Sequence, residues 1–163
     1  MRSFDQSLPM MLLRAREAAM AFFRPLLNAH GVTEQQWRVI RVLHEHADLE
    51  FHQLAQIAGI LPPSLTGILT RLERLGLVRR RKMAADQRRL HLTLTGEGIA
   101  LFGRVSIEAE RIYRDIEARF DARRLGKLFA LLHELCELKP AEPPRPAPAR
   151  TRRTAKSKAA KGR

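Results

Sequence analysis

The chain has 163 residues, with 30 Lys or Arg against 17 Asp or Glu and a formal net charge of +13, and it carries a single cysteine. One thiol excludes an intramolecular disulfide, the apolar runs are too short to span a bilayer, and the N-terminus lacks the pattern of a secretory signal, so a soluble cytoplasmic protein without membrane partners is expected. The last 24 residues, 140–163, hold five prolines, eight Lys or Arg and one acid. They cannot bury enough apolar surface to offset their ordering entropy and are expected to form a disordered basic tail, which leaves one domain over residues 1–139.

Residues 8 to 27 read as a long amphipathic helix, with Gly31 and Thr33 marking its end and the start of the next. Thr33 to Gln36 fits a capping box, after which Trp37, Ile40, Leu43 and Ala47 recur at helical spacing to a stop near His46. Residues 49 to 51 predict a short strand, and 52 to 58 a third helix closed by Gly59. Pro62 and Pro63 restart the chain, since proline is tolerated in a first helical turn. The following segment has Leu65, Ile68, Leu69, Leu72 and Leu75 on one face and Ser64, Gly67, Thr70, Arg71 and Arg74 on the other. Gly76 is placed as a C-terminal cap. A strand from Leu77 runs into the basic residues 79–82, a turn is expected at 84–87, and Leu90, Leu92 and Leu94 alternate with His91 and Thr93 on the return. Thr95 caps a long helix with Ile99, Phe102, Ala109, Ile112, Ile116 and Phe120, and a final helix carries Leu125, Leu128, Phe129, Leu132 and Leu135.

Charge is concentrated in this pattern. Residues 71–89 hold eight basic side chains against Glu73 and Asp86, whereas the rest of 1–139 balances fourteen basic against fourteen acidic residues. A helix with a small, polar and basic outer face, followed by a strongly basic hairpin, is the arrangement by which a winged helix-turn-helix addresses duplex DNA. The fold class expected is mainly α with a small β-wing, the winged helix-turn-helix being flanked by long terminal dimerisation helices. The DNA-binding candidates are Ser64, Thr66, Gly67, Thr70, Arg71 and Arg74 on the helix and Arg81, Asp86, Arg88 and Arg89 on the hairpin. Ser64, Thr70 and Arg71 are the base-reading candidates, and Asp86 would orient a neighbouring guanidinium. The wide apolar arcs of the two terminal helical segments predict burial against a second copy, a homodimer.

Asp86-Gln87-Arg88-Arg89, followed by Leu94-Thr95 and Gly98, resembles the wing signature of the MarR family of bacterial transcription regulators. Leu54-Ala55 and the run from Leu72 to Val78 are similar to that family's supporting helix and recognition-helix exit. Within the family, segments 15–20, 22–25, 33–38 and 63–71 resemble the branch that represses homoprotocatechuate (4-hydroxyphenylacetate) degradation operons. The resemblance covers residues 8 to 138 and leaves the tail unexplained. It implies a DNA-binding lobe at about 33–95, dimerisation helices at about 6–30 and 96–138, and a small phenolic acid, a phenylacetate-type effector, bound between the dimer interface and the DNA lobe so as to release the operator.

A candidate effector site follows from the first helix. At 100° per residue its apolar side chains fall in an arc of about 140°, with Arg16 in the middle. A guanidinium there must meet an acid of the partner chain or of the last helix, snorkel to solvent, or hold a bound anion. Met20, Phe23 and Trp37 would form apolar walls for such an anion, with Arg38 and Arg41 as further donors, although Trp37 also suits plain core packing. His44, His46 and Phe51 are weaker candidates. His133 and Cys136 at i,i+3 spacing are two ligands short of a metal site, and no basic cluster activates the thiol. There is no phosphate loop, nucleophile motif or metal cluster, so neither catalysis nor a cofactor is expected. The reading from another class is an architectural DNA-coating protein, suggested by the basic tail.

Overall fold

In the computed structural model, residues 3–82 and 90–139 are described. The expected hairpin turn at 84–87, with Asp86, and Arg88, Arg89 and the tail 140–163 all lie outside them. The chain divides into two compact units, Met1–Leu125 and Gly126–Arg163.

After a single 3-10 turn at Phe4–Gln6, helix α1 spans Leu8–Ala29. It starts with proline in its first turn, where an absent N–H leaves no intrahelical bond unmade. Its apolar arc is present but largely uncovered in the single chain: only Leu26 and Leu27 are buried, and Leu8, Met11 and Leu13 are about half exposed. Helix α2 (Glu34–His46) opens on the expected capping box, with the Gln36 amide N–H donating to Thr33 Oγ1 at 3.2 Å and the Thr33 N–H to Gln36 Oε1 at 2.8 Å. That exchange explains how Gln36 can be almost fully buried among Val39, Ile40 and Leu43.

Strand β1 is Leu49–Glu50 and helix α3 Phe51–Ala58, so the strand ends and the helix begins one residue earlier than expected. The reason is local: the Glu50 N–H donates to Gln53 Oε1 at 3.0 Å, which sets Glu50 outside the helix and Phe51 at its first position. Gly59, at φ +60, closes α3. Helix α4 (Pro62–Arg74) follows, buried through Leu65, Leu69 and Leu72, while Leu75 is half exposed beyond its last turn. Strands β2 (Val78–Lys82) and β3 (Leu90–Leu94) pair antiparallel, Val78 facing Leu94 and Arg80 facing Leu92, and β3 also pairs with β1, giving the order β1-β3-β2.

Helix α5 (Gly96–Phe120) packs Phe102, Ala109 and Ile112 against the core as expected, but not Ile99 or Phe120. Gly98, Leu101, Val105 and Ala109 are buried, whereas Ile99 and Phe120 are substantially exposed. The rotation is fixed at Gly98, where an added Cβ would lie 2.2 Å from the Leu77 carbonyl oxygen. Only a glycine face can meet the exit of α4 so closely, and the neighbouring Ile99 therefore points away. Helix α6 (Ala122–Glu137) starts at the end of the first unit and forms the described part of the second, and none of its residues is buried. No helix among the described residues is long and apolar enough to cross a membrane.

Gly98→Ala should destabilise the protein by about 3 kcal/mol, because the contact is with backbone that cannot rotate aside. Gly103→Ala, where a Cβ meets nothing within 4 Å, should be neutral or stabilising by about 0.5–1 kcal/mol in mid-helix. Urea unfolding of both variants checks the pair, and equal stabilities would show that the approach is not restrictive.

Candidate functional site

The outer face of α4 is free. Ser64, Thr66, Gly67, Thr70, Arg71 and Arg74 are all exposed, opposite the fully buried Leu65, Leu69 and Leu72. A Cβ at Gly67 would meet nothing within 4 Å, so packing does not require the glycine, and its bare backbone leaves room for an incoming partner. The Thr66 and Thr70 hydroxyls donate to the carbonyls of Pro62 and Thr66 at 3.2 and 3.0 Å. Their oxygens remain able to accept, and either hydroxyl can rotate to donate outward. Among the described residues Arg71 and Arg74 have no ion-pair partner.

The basic strand is less uniform than its composition suggests. Arg79 Nε donates to Thr93 Oγ1 at 3.1 Å, and Arg80 Nε to Glu73 Oε1 at 2.8 Å. Arg81 is exposed and, among the described residues, without an acidic partner. A cleft of about 640 Å³ runs beside α4, lined by Ser64, Gly67 and Arg71 on one wall and by Arg16, Arg38 and the first turn of α2 on the other.

Arg16 does not sit in a buried apolar setting. Its side chain is 42% exposed and pairs within the chain, Nη1 with Glu17 at 2.6 Å and Nη2 with Glu34 at 2.5 Å. Arg24 completes a four-membered cluster by donating to the same two carboxylates. Of the alternatives open to Arg16, an acid is what it meets, supplied not by the last helix but by Glu17 beside it and by Glu34 in the first turn of α2. Burial acts to raise the Glu34 carboxyl pKa, but hydrogen bonds from Arg24 and Arg16, together with their charges, outweigh it and hold the group below the usual carboxylate range. Hydrogen bonds to Glu17 and Glu34 raise Arg24 in turn.

Next to this cluster lies a cavity of about 220 Å³ walled by Met20 and Phe23 of α1, Trp37 and Arg41 of α2, and Phe102, Ser106 and Tyr113 of α5. Phe102 stacks between Trp37 and His44, with centroid distances of 5.6 and 3.6 Å, and Phe23 packs on Tyr113 at 4.9 Å. An adjoining hollow of about 290 Å³ shares Met20, Trp37 and Arg41 and adds Arg16, Arg38 and Ile57. All six effector candidates therefore line one or both spaces. Among the described residues Arg41 reaches one acid, Glu45, at 3.7 Å, while Arg38 is partly committed, donating to the Ala58 carbonyl at the end of α3. Sequence reasoning missed Phe102, Ser106 and Tyr113 as cavity walls; the chain's single tyrosine, on an otherwise charged stretch of helix, was the available signal. Among the described residues no group of three or more His, Cys, Asp or Glu is placed to hold a metal, and Cys136 is exposed.

The sequence pattern of the MarR family matches residues 32–90. The homoprotocatechuate degradative operon repressor of Escherichia coli is 53% identical over 132 residues, which cover 81% of this chain and 89% of that protein. The chain belongs to the MarR family. Among solved structures it is similar to the transcriptional regulator PA4135, with 53% identity and a TM-score of 0.79 over 82% of this chain and 98% of that one. It is also similar to NadR in complex with 4-hydroxyphenylacetate, with 46% identity and a TM-score of 0.73 over 85% and 99% of the two chains. A MarR-family chain is a transcription regulator and not an enzyme, and its winged helix accounts for the basic helix and strand described above.

In this MarR protein the depressed Glu34 carboxyl makes the α1–α2 junction pH-sensitive. Because its folded pKa lies below its unfolded value, the stabilisation is complete above the ordinary carboxylate range and is lost as pH falls through the lowered pKa. Glu34→Gln should cost about 1 kcal/mol at neutral pH, a value set by partly exposed partners, and should flatten the acid limb of stability. Urea unfolding across a pH series measures both, and an unchanged acid limb would mean that the cluster does not contribute.

Proposed function

We propose that the protein is a homodimeric repressor that holds a pseudo-palindromic operator with α4 and the wing and releases it when an aromatic acid enters the cavity beside Trp37. The observation that carries this reading is the position of the cavity. Its walls come from α2 and α5, and both helices also border α4, α2 through the cleft lined by Glu34 and Arg71 and α5 through the Gly98 contact with Leu77. A ligand held there acts on the two elements that position the recognition helix.

The chemistry suits a ring bearing a carboxylate. Phe23, Trp37, Phe102 and Tyr113 offer flat apolar walls, Ser106 and Tyr113 can bond a phenolic hydroxyl, and Arg41 is the guanidinium with the weakest existing pairing. Arg41 is therefore the anchor, with Arg16 and Arg38 at the rim of the adjoining hollow. The NadR complex with 4-hydroxyphenylacetate and the name of the E. coli relative favour a phenylacetate-type acid as the effector. Dimerisation would use the uncovered apolar side chains of Leu8, Met11, Leu12 and Leu13 on α1, together with α6. Residues 1–139 form the regulator proper, with its DNA lobe at about 33–95, and the tail 140–163 adds affinity without sequence choice. Asp86, Arg88 and Arg89 are assigned to the wing tip, against phosphates or the minor groove. The protein would act on the chromosome in the cytoplasm.

Two measurements test this. Arg71→Ala should cost about 1–3 kcal/mol on the operator and relax preference at one position of each half-site, whereas an equal loss on random DNA would remove α4 from base reading. In calorimetry, 4-hydroxyphenylacetate or 3,4-dihydroxyphenylacetate should bind the parent protein, and at least about tenfold more weakly Arg41→Met. Equal affinity for parent and variant would place the carboxylate elsewhere.

A further inference from the structure

The acid Glu73 lies inside the most basic segment of the protein. A carboxylate there weakens the local field that attracts phosphate, so it is out of place in a surface evolved only for charge. It occupies the last turn of α4 and accepts from Arg80 Nε at 2.8 Å, the two side chains being 30% and 32% exposed. Arg80 stands on the same side of β2 as the buried Val78, while Arg79 and Arg81 point to the other side. The pair thus bridges the end of the recognition helix and the inner side of the first wing strand. Beneath it the main chain turns at Gly76, φ +70, whose N–H donates to the Glu73 carbonyl at 2.9 Å. Glu73 holds both ends of the helix-to-wing turn, one through its backbone and one through its side chain.

We infer that Glu73 and Arg80 are positioning residues that fix the angle of the wing to the recognition helix, and that Arg80 is not a phosphate contact. The inference rests on the reading of α4 and the wing as the DNA-binding face. A helix in one groove and a wing beside it must be set at one angle for both to engage, so a loosened joint lowers operator affinity without removing any contact.

The test uses the full chain and a duplex selected by it from a random-sequence library, with an unselected duplex of equal length as control. Glu73→Gln and Arg80→Met should each weaken operator binding by roughly threefold per half-site, about tenfold on the palindrome, and the double variant should be no worse than either single one. The slope of log K against log salt should stay at the parent value. Arg80→Lys, which retains the charge and one contact, should recover most of the loss, and thermal melting should move little. A slope reduced by about 0.9 per protomer in Arg80→Met would make Arg80 a phosphate contact and overturn the inference. Tighter binding by Glu73→Gln, with an increased slope, would do the same, as would unchanged operator affinity in both variants. Arg71→Ala on the same duplex separates the two levels: if it too is silent, the DNA-binding reading fails, whereas a loss confined to Arg71→Ala sinks only the positioning role.

Discussion

The architecture depends on one close approach of backbone to backbone, where the first turn of α5 meets the exit of α4. Thr95 joins the two by two bonds, its N–H donating to the Leu77 carbonyl at 3.0 Å and its hydroxyl to the Gly76 carbonyl at 2.5 Å, while its Oγ1 caps α5 by accepting the Gly98 N–H at 3.1 Å. Gly98 makes room for this by lacking a Cβ. Since Thr95 also follows the last residue of β3, the recognition helix, the wing and the longest helix share a single rigid joint. The rotation of α5 about its axis, and with it the identity of the residues that face the cavity, is set there.

For the effector proposed above, that joint would be the physical route from the cavity to the DNA-binding face. Phe102, Ser106 and Tyr113 lie on α5 about one to four turns beyond Gly98, so a molecule wedged between them and Trp37 would act on a lever whose fulcrum touches Leu77. The opposite wall is α2, whose first turn is pinned to α1 by the Arg16, Glu17, Arg24 and Glu34 cluster. With one wall pinned and the other jointed, a separation of α2 from α5 by that effector would be expressed at the α5 joint rather than at the cluster. A ligand shifts this equilibrium only by its difference in affinity for the two spacings, which requires that it contact both walls. Arg41 on α2 and Tyr113 on α5 meet that requirement for a molecule with polar groups at opposite ends of one ring.

Most elements were legible because their ends carry local chemistry. Thr33 and Thr95 as caps, Gly59 and Gly76 at positive φ, and proline opening α4 each act within a few residues, so sequence alone locates them. The α4 face was legible for a similar reason, as Leu65, Leu69 and Leu72 recur at a spacing that fixes the opposite side. What could not be read depends on distant partners. Arg16 meets Glu34 eighteen residues away, and no periodicity announces that an acid in one helical turn will satisfy an arginine in another. On α5, Phe102, Ala109 and Ile112 pack inward as their spacing suggests, but Ile99 does not, because Gly98 beside it takes the core side; the deciding fact, the Leu77 carbonyl, belongs to another element.

The same distinction between local and distant partners changes how the charge of the protein should be counted. Composition assigns eight basic residues to 71–89, but charge that attracts DNA is charge that faces it. Arg80 is turned inward to Glu73, and Arg79 is steered by Thr93 although its charge persists. Of the cations there whose side chains are described, Arg71, Arg74 and Arg81 have no such commitment among the described residues. Two of them lie on the helix that would read bases, so the described strand contributes less free charge than its run of arginines implies. Where few fixed cations face DNA, discrimination depends on how those cations are placed, because each carries a larger share of the binding free energy. Precision at the joint between helix and strand then matters more than the total charge, and that joint is made by a glycine, a threonine and one acid among arginines.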